Sequence, residues 1–239
     1  MSKVELVTRE EIETPRTAAE IRRWIDAALE RFQDQPREIR NAARDGRLLW
    51  KELAQEALPI ALFASRYFAA SSVVCIRHVL GSQQYDAEVD DKRTPPSRMR
   101  FIEVTHSAFD GDDARRMELL SLQGHAPSYG PVIAEGPKGK RTRLEAQLEA
   151  HDHLELRAEH IGRARQAVAR KARKAYAAGT ALVVMVDDSG PFSKDDDRVE
   201  LARVAQEEFA PLVDQREFCV LAFVGTRGLF IAVELSPKS

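Results

Sequence analysis

Asp86 and Glu103 are the residues best placed in this chain to share a chemical task. Each is an acid inside a short, strand-like run: Tyr85-Asp86-Ala87-Glu88-Val89, then Arg100-Phe101-Ile102-Glu103-Val104-Thr105. The polar stretch 90–98 between them holds Asp, Lys, a Pro-Pro pair and Ser, so it reads as a hairpin loop. A hairpin that brings two carboxylates to one end of a sheet can hold a divalent cation, with Mg2+ the expected ion. The plainer reading stands beside this one. Acids at these spacings are common in ordinary strands, and the pair can equally be an edge acid and a solvated acid that bind nothing.

The elements that must position these residues follow from periodicity and punctuation. Residues 1–15 are a charged arm. Thr17 is placed to cap a helix over 18–32, with Ile21, Trp24, Ile25, Ala28 and Leu29 on one face. Gln35-Pro36 breaks it, a second helix covers 37–43, and Asp45-Gly46 turns the chain. A third helix spans 47–68, and Pro59 inside it must kink it or start a new one. Residues 72–80 are β-branched and strand-like. After the Glu103 strand, Asp110 or Asp112 can cap a helix over 113–122, which Gly124 stops. The Pro- and Gly-rich stretch 125–150 reads as an insertion carrying a hairpin between 132–135 and 142–148.

A long helix follows from His151 or His153 to 178, closed by Gly179. Ala181-Leu182-Val183-Val184-Met185-Val186 is an unbroken apolar run, the pattern of a strand buried on both faces. A helix over 198–213, a second buried strand over 218–224, a turn at 225–228 and a last strand over 229–235 complete the chain. Strands joined by hairpins come first and strands joined through helices come second. That order predicts an α/β fold, a mixed central sheet flanked by helices over 47–239, with a helical extension over 1–46.

The long helix carries Arg163, Arg165, Arg170, Lys171, Arg173 and Lys174 with no acid among them. Arg163, Arg170 and Lys174 share one stripe at 100° per residue, which suits phosphate tracking along DNA or RNA and equally suits a solvated helix end. Lys171 belongs to the same segment. Lys138 and Lys140, with Arg141 and Arg143, make a smaller basic patch on the inserted hairpin. His151 and His153 flank Asp152 where a helix begins, and a polar cap explains them. Asp187-Asp188 and Asp195-Asp196-Asp197 read as solvated loop acids. No Gly-rich phosphate loop precedes a helix and no Gly-x-Ser-x-Gly elbow is present.

Composition sets the outer bounds. A formal net charge of -2 argues against a global basic field, so any nucleic-acid surface must be local. Cys75 and Cys219 lie in apolar runs and read as buried thiols rather than a disulfide or zinc site. No run reaches the length of a membrane span, and a soluble, cytoplasmic protein of bacterial type is the expectation.

Helix, three strands with an acid on the second and third, then helix and strands: this order resembles the restriction-endonuclease-like superfamily, whose motif is PD-(D/E)XK. Tyr85-Asp86 stands where that family has Pro-Asp, and Glu103-Val104-Thr105 where it has Glu-x-Lys. The resemblance covers roughly 47–224. It implies metal-dependent hydrolysis of phosphodiester bonds in a nuclease or nucleic-acid-processing protein. Asp86, Glu103 and Glu56 would be the metal ligands, with Mg2+ as cofactor, and Thr105 would replace the motif lysine. Arg115 or Arg116 on the following helix is a candidate for the missing cation, while His106 should point to the opposite face of its strand. The alternative is a module of the same fold that has lost catalysis and acts by binding protein or nucleic acid. A protein or homo-oligomer contact through Trp24, Ile25 and Leu29 is a third expectation.

Overall fold

The computed structural model describes residues 7–44, 48–107, 111–126, 131–137, 140–147 and 152–236. Its centre is a seven-stranded mixed sheet built on two long apolar runs. These form β7 (Thr180–Met185) and β8 (Phe218–Val224), and every residue of β8 is buried. In chain order the elements before them are α1 (Arg9–Glu13), β1 (Arg16–Thr17), α2 (Ile21–Gln33), α3 (Arg37–Arg44) and α4 (Leu58–Tyr67). Then come β2 (Val74–His78), β3 (Ala87–Asp91), β4 (Phe101–His106), α5 (Gly111–Gln123), β5 (Val132–Glu135), β6 (Arg143–Ala146) and α6 (His153–Ala172). After β7 follow α7 (Asp195–Val204), β8 and β9 (Phe230–Glu234). The main sheet runs β1-β2-β3-β4-β7-β8-β9, and β5 with β6 forms a separate hairpin.

The first four strands pair antiparallel, β4, β7 and β8 pair parallel, and β9 returns antiparallel. The mixed α/β architecture expected from the element order is therefore present. Two cores sit on the two faces. α2 and α4 cover Ile102, Val104, Ala181 and Val183 on one side. α6 and α7 cover Leu182, Val184, Leu221 and Phe223 on the other. Each strand residue thus faces one helical layer or the other by simple alternation.

Several boundaries differ from expectation for local reasons. The arm contains α1, capped by the Thr8 side chain. Thr17 is not a helix cap: its backbone pairs with Cys75 in β1, and the Glu20 carboxylate accepts from both its N–H and its hydroxyl. Ile25 is fully buried in the core, and the partly buried Trp24 and Leu29 pack against it. The Pro59 discontinuity is absorbed as a π-helical turn over Glu52–Ala57, in which the Leu58 N–H reaches back five residues to the Leu53 carbonyl. α6 ends at Ala172, well before Gly179. Gly179 instead sits at φ +88° where a Cβ would lie 2.5 Å from the Arg98 carbonyl oxygen, so it marks a close backbone crossing.

Candidate active site

The candidate site forms because β3 and β4 part company. Their ladder is short, Ala87 opposite Ile102 and Glu88 opposite Phe101. The Asp86 N–H still donates to the Ile102 carbonyl at 2.8 Å. One step further the backbones diverge, and the Asp86 side chain takes over: its Oδ2 accepts the Val104 N–H at 2.7 Å. A carboxylate has replaced a strand's backbone in the ladder. The resulting fork leaves Asp86 beside β4, where Glu103 projects.

Alternation sends Glu103 and Thr105 to the α6 face, and Ile102 and Val104 into the opposite core. Glu103 is 7 % exposed and is met by two donors. Lys171 Nζ donates to its Oε1, and the Tyr176 hydroxyl donates to the same oxygen at 3.3 Å. Thr105 is also buried, and its Oγ1 accepts from Arg170 Nη2 at 3.2 Å. His106 turns to the other face, as strand alternation requires, and its Nε2 donates to the Gln55 carbonyl at 2.6 Å. That carbonyl lies four residues before Pro59, which has no N–H to offer it. His106 thus ties the π-helical turn to the end of β4, next to Glu56.

Burial, and then the charges of Asp86, Glu52 and Glu103 against the pull of Lys51, raise the Glu56 carboxyl to about 7. Asp86 is raised by burial, partly offset by the Val104 N–H and by Lys171 and Lys51. Glu103 is raised by burial and by Asp86, and lowered by Lys171 and Tyr176. Tyr176 is itself pushed up by burial and by the Glu103 charge. Asp86 therefore disfavours charge on Glu56 and Glu103 inside a partly desolvated fork, and the Lys171 and Lys51 ammonium groups partly compensate.

Asp86, Glu103 and Glu56 offer carboxylate oxygens, the ligand type Mg2+ prefers, and water or a substrate phosphate commonly completes such a shell. Among the described residues no three His, Cys, Asp or Glu side chains converge into a preformed cage.

Sequence reasoning grouped Asp86, Glu103, Glu56 and Thr105; in the structure Asp86 is bonded to the Val104 N–H beside Glu103, Thr105 lies on the α6 face with Glu103, and Glu56 follows Gln55, whose carbonyl accepts from His106. The same reasoning assigned Lys171 to an outward basic surface, whereas Lys171 points into the carboxylate cluster. The signal was available: Ala164 and Val168 are buried on the inner face of α6, and the next position on that stripe, three residues on, is Lys171. A lysine at a core position of an amphipathic helix needs a buried partner. Tyr176, beyond the helix end, gave no such signal.

Arg163 lies beside Glu159, with Nη2 donating to Oε1 at 2.7 Å, while Arg170 and Lys174 are exposed. Lys140 is exposed at the hairpin turn and Lys138 lies outside the described residues. Among the acids read as solvated, two are buried. Asp188 accepts the N–H groups of Arg227 and Leu229, and Asp197 accepts from His153 Nε2 at 2.9 Å and Arg157 Nη1 at 3.0 Å. His153 is therefore a bridge between α6 and α7, while His151 lies outside the described residues. The chain matches no family model, no curated protein and no solved structure.

Proposed function

We propose that the fork between β3 and β4 is the active site of a metal-dependent phosphodiesterase acting on nucleic acid, of restriction-endonuclease-like type. The observation that carries the reading is the convergence of Asp86 and Glu103 with Lys171, a cation delivered from α6 rather than from the position of Thr105. The arrangement of parts supports it: α4 on one face, a three-stranded antiparallel run β2-β3-β4, α6 on the other face and β7 parallel to β4.

Asp86 and Glu103 would hold Mg2+, with Glu56 as a further carboxylate. When bound, the cation supplies positive charge at the phosphate and acidifies water. The chain's own groups do the rest. Tyr176 and Lys171 fix the rotamer of Glu103, so its carboxylate is oriented before substrate arrives. Lys171 brings a charge that Thr105 lacks, and can orient water or stabilise charge developing on the phosphate. Arg170 holds the Thr105 hydroxyl and retains further N–H donors toward the open side.

The test is cleavage of end-labelled single- and double-stranded DNA and RNA with Mg2+ or Mn2+. The wild-type protein should cleave at least one of these, chelator should stop it, and Asp86→Asn and Glu103→Gln should abolish it. No wild-type cleavage of any of them with either ion overturns the proposal.

A further inference from the structure

A cleft of about 480 Å3 opens beside the fork, lined by His106 and Ser107 at the end of β4 and by Arg163, Gln166 and Arg170 along α6, with Glu159 at its far end. It is continuous with the cluster already described, because Arg170 lines the cleft and also donates to Thr105, two residues from Glu103. Arg163 and Arg170 are two turns apart on one helical stripe, about 10 Å along the axis. Gly162 forms part of the wall, and a Cβ added there would meet no atom within 4 Å.

The lining chemistry selects an anion. Two guanidinium groups face it against one carboxylate, Glu159, which accepts from Arg163 Nη2 at 2.7 Å. The His106 ring is turned to the other face, where it donates to the Gln55 carbonyl, so it adds no charge to the cleft. Among the described lining residues the guanidinium groups outnumber the carboxylate, and Ser107 and Gln166 add a hydroxyl and an amide. Guanidinium donors in a fork geometry match phosphate oxygens. Few apolar side chains line the cleft, which disfavours a stacked base or a hydrophobic ligand.

We infer that this cleft is a subsite for a phosphate of the nucleic-acid strand adjacent to the scissile phosphodiester, gripped by Arg170 and Arg163. The inference rests on the proposed phosphodiesterase reading, since it takes the strand in the fork to continue into the cleft. The phosphate could be an internal diester or a terminal monoester. Both present the same oxygens, and the experiment separates them.

The measurement is fluorescence anisotropy of a labelled twelve-nucleotide single strand, with and without a 5′-phosphate, in chelator so that no cleavage occurs. Two variants probe the cleft. Arg163→Glu reverses a charge, and Gly162→Trp fills the space from a position where an added Cβ meets no atom within 4 Å. Arg203→Glu, on α7 and paired with Glu200 and Glu207, is the control for a general charge effect. Both cleft variants should weaken binding at least tenfold while the control stays within twofold. Loss for both oligonucleotides assigns an internal diester, and loss confined to the phosphorylated one assigns a terminal monoester. Unchanged affinity in Gly162→Trp, with circular dichroism matching the wild type, overturns the inference. Because the readout needs neither metal nor turnover, it is separate from the cleavage test.

Discussion

Lys171 is a charged residue at a core position, and its partner explains why it is tolerated. A buried lysine without a counter-charge loses its proton or destabilises the fold, whereas here Glu103 accepts from it and both side chains are mostly enclosed. Lys171→Met should lower single-turnover cleavage about 100-fold or more, the scale of removing one charge-stabilising donor, while Thr105→Val should cost less than tenfold. Equal losses in the two variants would return the catalytic role to Thr105. Glu56 gives a second test at this scale. Its carboxyl is raised to about 7 in the fold, above the ordinary value near 4.5, so the folded state holds a proton that the unfolded chain has released between those limits. The stabilisation from that protonated carboxyl is complete below about 4.5 and is lost as pH rises through 7. Glu56→Gln, neutral at every pH, should therefore stabilise the protein by about 2 kcal/mol at pH 8 and by almost nothing at pH 4.5, read from urea midpoints. A difference independent of pH would show that Glu56 does not feel its acidic neighbours.

At the scale of elements, what was legible and what was not divides along physical lines. β7 and β8 were plain because a strand buried on both faces is an uninterrupted apolar run, and the hairpin of β5 and β6 was plain from its flanking glycines. The start of α2 was missed because tertiary pairing overrode a local cap: Thr17 serves the sheet by bonding opposite Cys75. The length of α6 was overrun because Gly179 looks like a helix stop in sequence, whereas its conformation is demanded by contact with the Arg98 carbonyl. Asp188 was read as a solvated loop acid because nothing local reveals that residues thirty-nine and forty-one positions later will give it their N–H groups. It is 1 % exposed, and it holds the turn between β8 and β9. Asp188→Ala would leave the Arg227 and Leu229 amides without their acceptor and should cost about 2–4 kcal/mol in urea unfolding. A cost under about 0.5 kcal/mol would mean the turn holds its shape without this acid.

For the whole molecule, the site depends on a sheet whose two faces carry different layers. The α2 and α4 layer supplies Glu56 through the π-helical turn beside Pro59, and the α6 layer supplies Lys171 and Arg170. Asp86 and Glu103 stand between them at the point where β3 leaves β4. The pair of acids was visible in the sequence as two short runs around a polar loop. The third party was not, since Lys171 lies 68 residues from Glu103 along the chain and only the packing of α6 on the sheet joins them. The central claim is that the fork binds a divalent cation through Asp86 and Glu103, and thermal unfolding with Mn2+ at pH 7.5 tests it most directly. A cation present at about 100 times its Kd stabilises by about 2.7 kcal/mol, which for a protein of this size raises Tm by roughly 5–10 °C. The account predicts that rise for the wild type, a smaller one at pH 5.5 where Glu56 is protonated, and none for Asp86→Asn. An unchanged wild-type Tm, or an equal rise in Asp86→Asn, would contradict it.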